Sequence, residues 1–215
     1  MAKKDFIRAR GLEQVEVRRT EILKAAKSLY NKHFFDDISI QLIANESGFT
    51  RSNVYRYFKS KEEIYLSLIL KDMQNWCVSI EKWLNQDYTS EEFANKWVKT
   101  MLSESRLLSL LSILSTKLEP NSSQEALNNF KKSLVEQSQL VIAAMQKSFP
   151  ALNVSDIQLF LMFNSSLFIG TYPNMQLSKK RKTAMHLSQM PTDPEAYRLM
   201  IVRAIKVFFD DLRNK

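Results

Sequence analysis

Only three glycines occur in 215 residues, at Gly11, Gly48 and Gly170, about 1.4% against the usual ~7%. A phosphate-cradling loop needs several glycines within one short turn, because only residues without a Cβ let the backbone close around a phosphate. Glycines this far apart exclude both the Walker-type and the dinucleotide-binding fingerprints. Folds rich in β-structure need glycine turns and alternating apolar patterns, and the sequence offers neither. The chain is expected to be all-α.

Its composition is 45% hydrophobic and 25% charged, ordinary for a globular protein. Charge is distributed unevenly. Residues 1–62 carry 13 Lys/Arg and 8 Asp/Glu, net +5, whereas the rest carry 18 and 15, net +3. A basic first third suggests a module facing a polyanion, ahead of a near-neutral body. Cys77 is alone, so no intramolecular disulfide forms and a reducing compartment fits. His33 and His186 stand at no familiar zinc spacing from it, and no metal or cofactor is expected. Lys3, Lys4, Asp5, Arg8 and Arg10 leave no room for a signal-peptide core. The most apolar stretch, Leu159–Gly170, is interrupted by Asn164, Ser165 and Ser166 and is too short to span a bilayer. The expectation is a cytoplasmic protein with no membrane partner.

Apolar periodicity predicts a first helix over Val17–His33, with Ile22, Ala25, Ala26, Leu29 and Tyr30 on one stripe. Ser39 caps a short helix bearing Ile40, Ile43 and Ala44, which Gly48 closes. Thr50 caps another, from Arg51 to about Phe58. The capping box Ser60-Lys61-Glu62-Glu63 opens a long helix reaching about Leu84. Further helices are predicted at Ser90–Ser103, Ser105–Leu118, Ser122–Phe149, Ser155–Thr171 and Pro194–Arg213. Pro173–Asp193 reads as an irregular connection, its run Lys179–Lys182 as a solvated loop, and the cations from Lys3 to Arg10 as a frayed arm. The organisation expected is a small domain over residues 1–62 and a larger helical one over 63–215, joined by the long fourth helix.

Two short helices joined by Glu46-Ser47-Gly48-Phe49 form a helix-turn-helix signature. At 100° per residue, Val54 and Phe58 fall on the inner side of the second helix, and Ser52, Tyr55, Arg56 and Lys59 on the outer. The span Gly48–Lys61 has four basic residues and no acid. Such a helix suits the major groove, where Arg or Asn pairs bidentately with base edges while hydroxyls and Lys hold phosphates.

These residues carry a resemblance. The string Ser39-Ile40-Gln41-Leu42-Ile43-Ala44-Asn45-Glu46-Ser47-Gly48-Phe49-Thr50-Arg51-Ser52-Asn53-Val54-Tyr55-Arg56-Tyr57-Phe58, with Arg18–Leu23 before it and Lys59–Leu66 after, resembles the N-terminal domain of TetR-family transcriptional regulators. The resemblance implies a homodimer on a palindromic operator, usually a repressor, released when a small effector binds its C-terminal helical domain. It implies DNA contacts by Ser39 and Gln41, by Thr50, Arg51, Ser52, Asn53, Tyr55, Arg56 and Tyr57, and by Lys61 at the start of the fourth helix. Leu42 departs from the family, which usually has a polar residue there. Tyr57 stands where His is frequent, and a core role for it stays open.

In the body, Trp76, Trp83, Trp97, Met101, Phe160, Phe163 and Asn164 are candidate walls of an effector pocket, with core packing as the competing reading. No cluster of acids or bases calls for a hydrophilic effector, so an apolar one is expected, aromatic or cationic included. The last two long helices carry apolar stripes suited to a four-helix dimer interface: Ile157, Leu161 and Phe168 on one, and Tyr197, Met200, Ile201, Ala204, Ile205 and Phe208 on the other. An activator, or a regulator of the same type without an effector, is the alternative. An enzyme is disfavoured for want of a nucleophile–base pair, paired carboxylates or a metal set.

Overall fold

The computed structural model describes residues 2–177, 179–187 and 193–214. Among them every regular element is helical. The helices are α1 (Ala2–Tyr30), α2 (Ile40–Ser47), α3 (Arg51–Tyr55), α4 (Lys61–Trp83), α5 (Ser90–Ser103), α6 (Ser105–Ser112), α7 (Gln124–Ser148), α8 (Val154–Met175), α9 (Lys179–Leu187) and α10 (Pro194–Arg213). Short 3₁₀ turns occupy Phe35–Asp37 and Glu119–Asn121, and a single π-helical turn occupies Leu114–Leu118.

Contacts divide the chain into two compact units. One comprises the residues up to Leu70 together with Thr116–Lys131, the other Lys71–Ser115 and Lys132 onward. The expected boundary after residue 62 lies within the first segment of that unit, and nothing in the sequence pattern joins Thr116–Lys131 to it. Helix α4 is unbroken across Leu70–Lys71.

In the first unit, Ile22, Ala26, Ile38, Ile43, Ala44, Val54 and Ile64 are buried to 1% exposure or less. Tyr65 lies among them, donating its hydroxyl to the Ala26 carbonyl at 3.1 Å with its ring edge-on to Phe35. Burial raises its pKa well above the usual phenol range.

The second unit is centred on an aromatic cluster. Phe93 stacks on Phe209 at 4.1 Å and meets Trp97, Phe149 and Phe160 at 5.3–5.6 Å. Aromatic pairs at such spacings add packing energy beyond the apolar area they bury. A part-buried ion pair ties α4 to α6: Arg106 Nε and Nη2 bond Asp72 Oδ2 and Oδ1 at 2.8 and 2.5 Å. Asp72 is 2% exposed.

Three expectations about helices need correction. α1 begins at Ala2, not Val17. Its first half lacks an apolar stripe, but Ala, Lys, Arg, Leu, Glu and Gln are good helix formers and Gly11 costs only ~1 kcal/mol. α8 runs through Pro173 to Met175: the proline gives up its own N–H bond to the carbonyl four residues back, but only two helical residues follow it. Lys179–Leu187 is helical where a solvated loop was expected. The side chains of Lys3, Lys4, Arg8, Arg10, Lys179 and Lys180, and the residue Pro191, lie outside what is described.

Candidate nucleic-acid interface and ligand cavity

The helix-turn-helix is built from local signals. Ser39 caps α2, its Oγ accepting from Leu42 N at 3.1 Å. Gly48 closes that helix at φ +71°, which a Cβ would strain. Thr50 caps α3, accepting from Asn53 N at 3.3 Å. Helix α3 ends at Tyr55, and Tyr57 N and Phe58 N both turn back to the Val54 carbonyl at 3.0 and 3.1 Å.

Val54 and Phe58 are buried, at 0% and 3% exposure. Arg51, Ser52, Asn53, Tyr55, Arg56 and Lys59 are exposed on the other side, with Ser39, Gln41 and Thr50 exposed at the two caps. Arg51 Nη2 donates to the Tyr55 hydroxyl at 3.1 Å, with its guanidinium 5.4 Å from the ring centre. The pair is held ready one turn apart. Gln41 donates to Asn45 Oδ1 at 2.8 Å. Lys59 forms an exposed ion pair with Glu125 at 3.1 Å. Tyr57 is half-buried.

Lys61 differs from expectation. Its ammonium donates to the carbonyls of Phe35 and Ile38 at 2.9 and 2.7 Å and stands 4.3 Å from the Phe35 ring centre. Two of its three N–H groups are committed inside the unit, so this cation serves the fold and keeps one N–H for any phosphate. Sequence reasoning missed Arg19, which lies off the apolar stripe. Its Nη1 bonds the Tyr57 carbonyl at 2.9 Å while the guanidinium covers Phe58 at 4.2 Å, fixing the end of α3 against α1.

At the N-terminus of α4, Glu63 N donates to Ser60 Oγ at 3.3 Å. The Glu63 carboxylate accepts from Lys59 N at 2.8 Å and from both N–H and Oγ of Ser123 at 3.2 and 2.6 Å. Burial alone raises the Glu63 pKa, but these hydrogen bonds outweigh it and hold it below the ordinary value. Ser60 Oγ donates to the Asn121 carbonyl at 3.1 Å, and Lys117 pairs with Asp36. These bonds explain why Thr116–Lys131 belongs to this unit.

The second unit holds an apolar cavity of about 100 Å³ among α4, α5, α7 and α8, with Leu111 of α6. Of the expected pocket residues, Trp76, Met101 and Asn164 line it. Trp97 and Phe160 do not. Both are fully buried in the aromatic cluster, and Trp97 Nε1 donates to Asn164 Oδ1 at 2.6 Å. Trp83 turns away to donate to Thr100 Oγ1 at 3.1 Å. Phe163 stacks on Phe208 at 4.2 Å, between α8 and α10. Residues that the sequence does not point to as pocket walls complete it, among them Met73, Cys77, Val141, Leu161 and Phe168. Their 3- and 4-residue spacing on α4 and α8 was a legible signal, but which helices face each other was not. Burial pushes the Cys77 thiol up to about 11.

The expected dimer residues divide. Ile157, Phe168, Ile201 and Ile205 are 0–1% exposed within the single chain. They pack its own core and cannot form an outer surface. Leu161 lines the cavity. Met200 is exposed, and Tyr197, Ala204 and Phe208 are partly so. Leu159 and Met162 of α8, and Leu199 and Val207 of α10, are exposed as well, at 40–61%.

A basic, acid-free helix presented by a capped helix-turn-helix, ahead of a helical body, defines a DNA-binding regulator architecture. Residues 22–68 match the bacterial regulatory proteins of the tetR family, and residues 70–194 match the tetracyclin repressor-like C-terminal domain. The chain therefore belongs to the TetR family of DNA-binding transcriptional regulators. It is 39% identical over 57 residues to the "Uncharacterized HTH-type transcriptional regulator YfiR" of Bacillus subtilis (strain 168), covering 26% of this chain and 28% of that protein. Its fold is similar to a TetR transcriptional regulator from Rhodococcus sp. RHA1, with TM-score 0.60 and 15% identity over 91% of this chain and 97% of that one. It is also similar to FadR from Bacillus subtilis in complex with stearoyl-CoA, with TM-score 0.52 and 18% identity over 85% and 97%. Among the described residues no helix is long and apolar enough to cross a membrane, and no group of three or more His, Cys, Asp or Glu stands ready to hold a metal ion.

Proposed function

We propose that the chain is a cytoplasmic, ligand-responsive repressor that grips a palindromic operator as a homodimer and releases it when a small apolar effector binds. The observation that carries the DNA-binding mode is the exposed outer side of α3, where Arg51, Ser52, Asn53, Tyr55 and Arg56 stand together without an acid. Arg and Asn at such positions read base edges, while the hydroxyls of Ser39, Thr50 and Ser52 hold phosphates. A two-fold dimer sets two such helices ~34–36 Å apart, one turn of DNA.

Two observations support an effector. The second unit has a cavity whose walls are almost wholly apolar, the usual character of a small-molecule site. A protein of similar fold, FadR, was solved with stearoyl-CoA. Release requires the effector to prefer the arrangement that does not bind DNA, with a coupling of ~1–3 kcal/mol. The exposed apolar side of α8 and α10, around the Phe163–Phe208 stack, is the proposed dimer face.

The test is fluorescence anisotropy of full-length protein on DNA from upstream of its own gene, against a random duplex, across a salt series. Binding to its own DNA should be roughly 10³-fold tighter or more. Equal affinity for the two duplexes would overturn the proposal.

A further inference from the structure

Helix α10 carries seven charged side chains, and five of them are paired within the chain. Glu195 meets Arg198, Lys206 meets Asp210, and Arg213 meets Asp87. Arg203 and Asp211 are exposed and make no ion pair or hydrogen bond among the described residues.

Both line the open groove that Phe163 of α8 forms with Met200, Ala204, Val207 and Phe208 of α10. They stand four residues before and four residues after Val207, so the three make one ridge of side chains along the helix. Eight residues of helix hold them ~12 Å apart, too far for one to neutralise the other within the chain. Helix α8 offers no alternative partner along the groove, because its only charged residue, Asp156, lies in its first turn.

A two-fold axis passing Val207 at right angles to α10 reverses the partner helix. A residue a given number of places before Val207 then faces the one as many places after it, and the contact occurs twice. Arg203 meets the partner's Asp211, and Asp211 meets the partner's Arg203. An axis along the helix would instead set each residue against its own copy, with like charges facing at both positions, which is repulsive. Charge complementarity therefore selects the antiparallel arrangement, and Val207, 60% exposed between the two charges, is covered at the crossing. Charges at the border of an apolar contact set register and choice of partner more than affinity.

We propose that two copies of this chain pack through antiparallel α10 helices crossing at Val207, clasped by two Arg203–Asp211 ion pairs between subunits. The assignment rests on the dimer-face reading above. It adds the direction of packing and the means by which a chain selects its own copy.

The test is charge reversal in full-length protein, with dimer dissociation measured by sedimentation equilibrium. Arg203→Asp alone and Asp211→Arg alone each bring like charges together twice per dimer, and each should weaken dimerisation roughly 100-fold. Mixed in equal amounts, the two variants should form a mixed dimer of near wild-type affinity, identified by native mass spectrometry. The double variant, Arg203→Asp with Asp211→Arg, should recover likewise. Recovery in the mixture also shows that each variant is folded. Single variants that dimerise as tightly as wild type would overturn the proposal, as would weakened variants that neither the mixture nor the double substitution rescues. Val207→Glu separates the two readings: if it abolishes the dimer while the charge reversals do not, the face stands and the antiparallel clasp is rejected. A monomeric wild type would reject both.

Discussion

Glu63 and Ser123, far apart in the chain, are joined by two hydrogen bonds, Ser123 N–H and Oγ donating to the same carboxylate oxygen at 3.2 and 2.6 Å. The other oxygen holds Lys59 N–H at 2.8 Å. One buried carboxylate thus fixes the end of the recognition segment, the start of α4 and the start of α7 together. Because its folded pKa lies below the ordinary 4.5, it contributes stability above that value, which is lost as pH falls through the folded pKa. Glu63→Gln should destabilise the protein at pH 7 by ~1–3 kcal/mol and flatten the loss of stability below about pH 5. Urea titrations at pH 7 and pH 4 measure both. An unchanged acid limb in the variant would show that Glu63 does not carry it.

Lys61 and Arg56 should separate cleanly. The Lys61 ammonium is committed to the Phe35 and Ile38 carbonyls, so Lys61→Ala should cost ~1.5–3 kcal/mol of stability and leave the salt dependence of DNA binding intact. Arg56 is exposed and forms no ion pair among the described residues. Arg56→Ala should leave stability within ~0.5 kcal/mol. If Arg56 reads a base, it should also weaken specific operator binding by ~1–3 kcal/mol. Thermal melts and salt-dependent anisotropy on both variants decide the assignment. A shallower salt slope in Lys61→Ala would restore its phosphate role.

What was legible in the sequence was what is determined locally. Ser39, Gly48 and Thr50 mark caps whose chemistry needs only neighbours, and α5 and α10 lie where their start signals and periodicity put them. What was not legible depends on which surfaces meet. Lys61 looks like a free cation until the Phe35–Ile38 turn folds under it. Helix α10 has two apolar stripes, Ile201–Ile205–Phe209 and Met200–Ala204–Phe208 with Val207. Periodicity cannot say which faces inward. The structure buries the first and leaves the second open.

The Asp72–Arg106 pair allows a test of how the second unit is held. Removing Arg106 leaves the buried Asp72 carboxylate uncompensated, so Arg106→Met alone should cost ~3–5 kcal/mol. The double variant Asp72→Leu with Arg106→Met removes both charges and should recover most of that loss. Denaturant midpoints of the two variants give the comparison. A double variant no more stable than the single one would mean that the hydrogen-bond geometry, not charge compensation, dominates.

The last prediction follows from the division of α10. Val207 is 60% exposed and Met162 61%, whereas Ile205 is fully buried. If the open side of α8 and α10 is the dimer face, Val207→Glu or Met162→Glu places a charge where two apolar surfaces meet and should shift the protein toward monomer without unfolding it. Operator binding should fall with it, because one helix-turn-helix makes only half of the contacts to a palindromic site. Ile205→Glu should instead unfold the second unit, since the charge would be buried without a partner. Light scattering, circular dichroism and anisotropy separate these outcomes. A Val207→Glu protein that remains dimeric and retains full operator affinity would place the interface on another face.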